Sequence, residues 1–159
     1  MSVTDYDFIF VHSYSSNAPN WQQVQIGCAA RKGRILAALD IAASFGLPVI
    51  ANDGIDTTNQ RCFELYGIEN LRTARNTAEE VESALRKSAL GRVIFLTSPD
   101  HLSRVVREAL ARGAYDALFA SSEVSFSREG AGGVRIVEPP HAKHMRDSEA
   151  GPVPIDADR

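Results

Sequence analysis

Three short apolar runs limit what this chain can fold into more than any other feature: Phe8-Ile9-Phe10-Val11, Leu47-Pro48-Val49-Ile50-Ala51 and Val93-Ile94-Phe95-Leu96. A strand with one wet face alternates polar and apolar residues, whereas an unbroken run of β-formers reads as a strand covered on both faces. Such strands need layers above and below them. The segments between the runs have the spacing to supply those layers.

Ile35, Leu36, Leu39, Ala42 and Phe45 recur at helical intervals, and Gly46 provides a stop. The spacing predicts a first long helix that starts as early as Trp21. A shorter helix is expected over 58–66, closed by Gly67, and a brief third strand over 71–74. Thr77 and Glu80 have the spacing of a capping box, which opens a helix running to about residue 90. Ser98-Pro99 reads as an N-cap with proline at the first helical position, and Val105, Val106, Ala109 and Leu110 form the apolar stripe behind it. A fifth strand is expected over 116–120 and a sixth over 134–137. Strand and helix alternate from end to end, the pattern of a mostly parallel sheet with helices on both faces. Beyond Pro139-Pro140 the composition turns polar and charged, so the division expected is a domain over 1–139 and a weakly ordered tail over 140–159.

Composition narrows the function classes. The 159 residues carry 17 basic and 20 acidic side chains, a net charge of −3 that argues against nucleic acid as a partner. No apolar run approaches the roughly 20 residues of a membrane helix, and the polar, acidic N-terminus is unlike a signal peptide. Cys28 and Cys62 lack the spacing of ligands or of a disulfide framework. A cytoplasmic protein without a membrane partner is the expectation.

In a sheet of this kind ligands bind where loops leave the carboxyl ends of the strands. The richest such loop is Thr97-Ser98-Pro99-Asp100-His101-Leu102-Ser103-Arg104. Free N–H groups at a helix start favour an anion, and the hydroxyls of Thr97 and Ser98 add donors. His101 and Arg104, three apart on one helical face, pair a proton carrier with a phosphate- or carboxylate-gripping fork. The bland alternative has Ser98 only capping, Arg104 pairing with Glu108, and His101 on the surface. A second loop holds Arg75, Asn76, Thr77, Glu79 and Glu80. Glu80 is assigned to the capping box and given no chemistry, which leaves Glu79 to act as a base, orient His101 or hold a cation. Ser13, after the first strand, can donate to an oxyanion, and Asp53, in a turn after the second, can reach a ribose hydroxyl or a metal. No dinucleotide fingerprint or phosphate-binding P-loop is present, and no nucleophile elbow. His141 and His144 stand in the proline-flanked tail, which argues against a metal pair.

Arg34, Asn76-Thr77-x-Glu79 and Thr97-Ser98-x-x-His101-x-x-Arg104, in that order, resemble the YdcF-like family over residues 7–113. The resemblance implies a Rossmann-like three-layer α/β/α domain with a sheet of about five strands and a pocket over the strand ends. It carries Arg34, Asn76, Thr77, Glu79, Thr97, Ser98, His101 and Arg104 into that pocket, and it brings S-adenosylmethionine in as a ligand class. Where the family has glycine turns after its first two strands, this chain has His12-Ser13-Tyr14-Ser15 and Asn52-Asp53-Gly54. The expected function is a small enzyme acting on a phosphate-bearing substrate, a nucleotide or phosphorylated carrier, by hydrolysis or group transfer, with a divalent cation such as magnesium as a candidate cofactor. A non-catalytic module that holds a nucleotide or S-adenosylmethionine is the alternative.

Overall fold

The computed structural model describes residues 5–126. Along these residues run β1 (Phe8–Val11), a hairpin of β2 (Gly27–Cys28) and β3 (Arg31–Lys32), α1 (Arg34–Phe45), β4 (Val49–Ala51), α2 (Thr57–Leu65), β5 (Glu69–Asn70), α3 (Thr77–Lys87), β6 (Val93–Thr97), α4 (Leu102–Ala111) and β7 (Leu118–Ser121). The main sheet has the order β5-β4-β1-β6-β7 and every neighbouring pair is parallel. With helices flanking it, this is the Rossmann-like three-layer architecture. The expected sixth strand over 134–137, the boundary at 139, the tail and both of its histidines lie outside the described residues.

Parity along the central strands sorts the core into two layers. Ile9, Val11, Ala51, Ile94 and Leu96 face Ile35, Ala38 and Phe63 on one side. Phe8, Phe10, Ile50, Val93 and Phe95 face Val81, Ala84, Val105 and Ala109 on the other. That two-sided covering is why the strands read as unbroken apolar runs. A third cluster of Tyr14, Ala18, Val24, Val124 and Phe126 roofs the ends of the strands.

Strand order turns round at β1. The chain leaves β1 for β4 and β5 on one side, then crosses to β6 and β7 on the other. The loops after β1 and β6 therefore diverge, and a crevice opens between neighbouring strand ends.

Three elements differ from the sequence expectation. The helix foreseen from Trp21 begins at Arg34, because 22–33 form a π-helical turn (Gln22–Ile26) and then the β2–β3 hairpin. Gly27 at φ 78° ends the turn, and Gly33 brings the chain back, its N–H donating to the Ile26 carbonyl at 3.1 Å. The third strand is Glu69–Asn70 rather than 71–74. The Thr73 and Ala74 N–H groups donate to Asn52 Oδ1 at 2.7 and 2.9 Å, so a side-chain amide takes the place of a strand partner. The turn after β6 is a 3₁₀ segment (Pro99–His101) leading into α4, and Ser98 makes no side-chain cap.

The excursion between β1 and α1 depends on Gly27 having no side chain. A Cβ there would sit 2.1 Å from Gly33 N, whereas a Cβ on Gly46, also left-handed, meets nothing within 4 Å. Gly46→Ala is expected to lower stability by about 1 kcal/mol, and Gly27→Ala by about 2–4 kcal/mol. Urea titrations of the two variants check this; equal losses would show that the excursion yields freely.

Candidate functional site

A cavity of about 270 Å³ lies over the crevice. Ser13, Tyr14 and Ser15 line it from the loop after β1, and Asn52, Asp53, Ile55 and Asp56 from the loop after β4. Asn76, Thr77 and Glu80 contribute from the start of α3, Arg34 from the start of α1, and His101 from the turn after β6. Six residues singled out from sequence meet here: Ser13, Arg34, Asp53, Asn76, Thr77 and His101.

Arg34 ties the two diverging loops together. Its Nε donates to Ser98 Oγ at 2.8 Å, and Nη1 donates to the carbonyls of Ser13 at 2.8 Å and His12 at 3.3 Å. The guanidinium lies 5.3 Å from the Tyr14 ring centroid, within cation–π range. It is 2% exposed, so its charge acts through a low dielectric rather than through water.

His101 is buried beside it. Burial pushes its imidazole well below the ordinary 6.5, and the charges of Arg34, Arg104 and then His12 push the same way. It is therefore a neutral imidazole at pH 7. Its Nε2 lies 3.3 Å from Thr77 Oγ1, and the Phe126 ring closes one side at a centroid distance of 6.3 Å. Phe126 is itself pinned: its N–H donates to Asp100 Oδ1 at 3.2 Å and its carbonyl accepts from Asn20 Nδ2 at 3.0 Å.

The two adjacent glutamates of α3 have exchanged the parts that sequence reasoning assigned to them. Asn76 is the N-cap of the helix, its Oδ1 accepting from the Glu79 N–H at 2.9 Å, so no Thr77–Glu80 capping box forms. Glu79 bonds Arg75, and this contact holds its carboxyl below the usual carboxylate range. Its side chain is 26% exposed and does not line the cavity. Glu80 does line it. Glu80 Oε1 lies 3.2 Å from His12 Nδ1, while Oε2 accepts from the Ser13 N–H at 3.0 Å and the Ser13 hydroxyl at 3.2 Å. Successive helix residues point about 100° apart, so one position decides between solvent and site.

His12 was passed over in the sequence as part of a polar loop, yet it is wholly buried. Its ring lies 6.2 Å from that of His101. Gln25, in the π-helical turn, holds the backbone around it: Oε1 accepts from the Tyr14 N–H at 2.6 Å and Nε2 donates to the His12 carbonyl at 3.3 Å. Position His12, at the carboxyl end of a central strand where related folds use glycine, was the available signal.

The other predicted residues serve as supports. Ser98 accepts from Arg34, Thr97 is buried in β6 opposite Ser121, and Arg104 is buried on α4 close enough to bear on His101; none of the three lines the cavity. Glu108 pairs with Arg112. Asp53 reaches the cavity wall, but Oδ1 accepts from the Ile55 and Asp56 N–H groups and Oδ2 from Asn59 Nδ2, so it anchors its own turn. Among the described residues there is no group of three or more His, Cys, Asp or Glu placed to hold a metal ion, and no helix long and apolar enough to cross a membrane. Cys62 is buried and its thiol pushed up to about 11, which makes it a poor nucleophile.

Comparison of the chain with protein-family models, with curated proteins and with solved structures found no match.

The state of His101 has a consequence for stability. An unfolded histidine takes up a proton near 6.5, whereas folded His101 stays neutral there. The unfolded chain then binds more protons, so this residue's contribution is present above about 6.5 and lost as pH falls below it. His101→Gln removes that linkage. Its urea midpoint is expected to fall less than the wild type's between pH 7 and pH 5; parallel curves would mean that His101 protonates in the fold.

Proposed function

We propose that this protein is a small enzyme acting on a phosphate-bearing small molecule, a nucleotide or a phosphorylated carrier, with the phosphate held against Arg34 and the reacting oxygen beside His101. The observation that carries this reading is the neutral, buried His101 set among buried guanidinium groups on the wall of a cavity at the strand crossover. A buried guanidinium on the cavity wall favours an anion, and it acts on developing negative charge without having to reorganise. Phosphoryl transfer relies mainly on such positioning and electrostatics.

Arg34 lines the cavity with its guanidinium aligned by Ser98 and Ser13, and its positive charge favours phosphate oxygens. A neutral His101 cannot give a proton to a leaving group; it offers a lone pair to the oxygen that attacks. Ile55, 65% exposed at the rim, gives the remainder of the substrate an apolar contact. The exposed thiol of Cys28 fits a reducing compartment, and this reading places the enzyme in the cytoplasm.

A thermal-shift panel of nucleotides, nucleotide sugars, isoprenyl phosphates and S-adenosylmethionine, with and without magnesium, tests the ligand class. A ligand at 100 times its Kd adds about 2.7 kcal/mol, a rise of several degrees. Phosphate-bearing ligands are expected to shift the wild type, and Arg34→Lys to blunt that shift. With the best ligand as substrate, His101→Gln is expected to lower kcat about 100-fold while Kd stays within a few-fold. Shifts from S-adenosylmethionine alone, with no turnover, would favour a binding module instead.

A further inference from the structure

Four residues with hydroxyl side chains line the cavity: Ser13, Tyr14, Ser15 and Thr77. The Tyr14 hydroxyl donates to Asn20 Oδ1 at 2.8 Å, Ser15 Oγ accepts from the Asn17 N–H at 3.3 Å, and Thr77 Oγ1 lies 3.3 Å from His101 Nε2. Ser13 has a carboxylate for its partner. Its hydroxyl donates to Glu80 Oε2 at 3.2 Å, and the residue is half-buried on the cavity wall.

A serine hydroxyl is a weak nucleophile until a base within hydrogen-bond reach takes its proton and a third group orients that base. Both conditions are met at Ser13. Glu80 lines the cavity while only 4% exposed, and its far oxygen, Oε1, lies 3.2 Å from Nδ1 of the wholly buried His12. The backbone of Ser13 is held on two sides as well. Its N–H donates to Glu80 Oε2 at 3.0 Å, and its carbonyl accepts from Arg34 Nη1 at 2.8 Å.

We propose that Ser13 is the nucleophile of this site, forming a phosphoserine that water then hydrolyses, with Glu80 as its general base. Ser13 Oγ forms a bond to phosphorus and passes its proton to Glu80 Oε2. The bond from phosphorus to the substrate oxygen breaks, its electron pair leaves with that oxygen, and solvent supplies the proton. In the second step water attacks the phosphoserine. Ser13 Oγ leaves phosphorus with its electron pair and takes the proton back from Glu80, while the water's surplus proton goes to solvent and inorganic phosphate departs. The oxygen set beside His101 in the reading above is this water. Arg34, bonded to the Ser13 carbonyl, offsets the repulsion between the phosphate and the Glu80 carboxylate. His12 acts through Glu80 and is a positioning residue.

The covalent step rests on the phosphate reading above, and the test separates the two. The full chain turns over p-nitrophenyl phosphate, or the phosphate ligands from the thermal-shift panel, and is quenched in acid for peptide mapping. Phosphoserine at position 13 is expected in the wild type, and more of it in His101→Gln, which slows only the second step. Ser13→Ala keeps the backbone bonds to Glu80 and Arg34. Its kcat is expected to fall about 1,000-fold and that of Glu80→Gln about 100-fold, while both keep the thermal shift with phosphate ligands. Hydrolysis that leaves no phosphate on Ser13 in either protein, phosphate on Thr77 instead, or wild-type kcat in Ser13→Ala overturns the nucleophile and leaves the phosphate reading standing. No hydrolysis of p-nitrophenyl phosphate or of any phosphate ligand overturns both.

Discussion

Arg34 is the interaction on which the rest of the site depends. A parallel sheet whose order reverses at β1 sends the loops after β1 and β6 apart, and something must hold their first residues in register. The guanidinium does this by donating to Ser98 on one side and to the Ser13 and His12 carbonyls on the other. A buried charge is costly unless it is hydrogen-bonded, and the same bonds that satisfy Arg34 fix the walls of the cavity. Burial keeps His101 neutral, and the Arg34 field pushes the same way. Structure and electrostatics at this point are one interaction.

Around that clamp the site is built as a network in which most polar groups have structural employment. Asn52 donates to Thr73 and Ser83 and accepts from two backbone N–H groups. Asp56 caps α2 and accepts from the Ser16 N–H and hydroxyl. Such satisfied networks hold side chains in place without leaving them free to react. The histidine nitrogens stand out against this background, since each ring is bonded on one side only.

Much of the architecture was legible from local pattern. The unbroken runs at β1, β4 and β6 announced strands covered on both faces, and the helical stripes supplied the covers. The expectation failed where local signals compete with long-range ones. Residues 22–33 carry a plausible helical spacing, yet Gly27 and Gly33 pack backbone against backbone and turn the segment into a hairpin. Residues 71–74 read as a strand, but the Thr73 and Ala74 amides bond to the Asn52 side chain. Thr77 and Glu80 matched a capping box, and Asn76 took the cap instead.

By itself the sequence determined the alternation of strand and helix, the direction of the sheet and hence the end at which the loops collect. These follow from hydrophobic period and chain connectivity, which are local properties. It also placed Arg34, Thr77 and His101 among the residues worth watching. Only the tertiary structure decided which of two adjacent glutamates faces the cavity, because a 100° step on a helix has meaning only once the helix is packed. Only the fold brought His12, in a loop that read as ordinary, beside His101. Their meeting depends on β1 and β6 being neighbours in the sheet, a long-range pairing that no local spacing records.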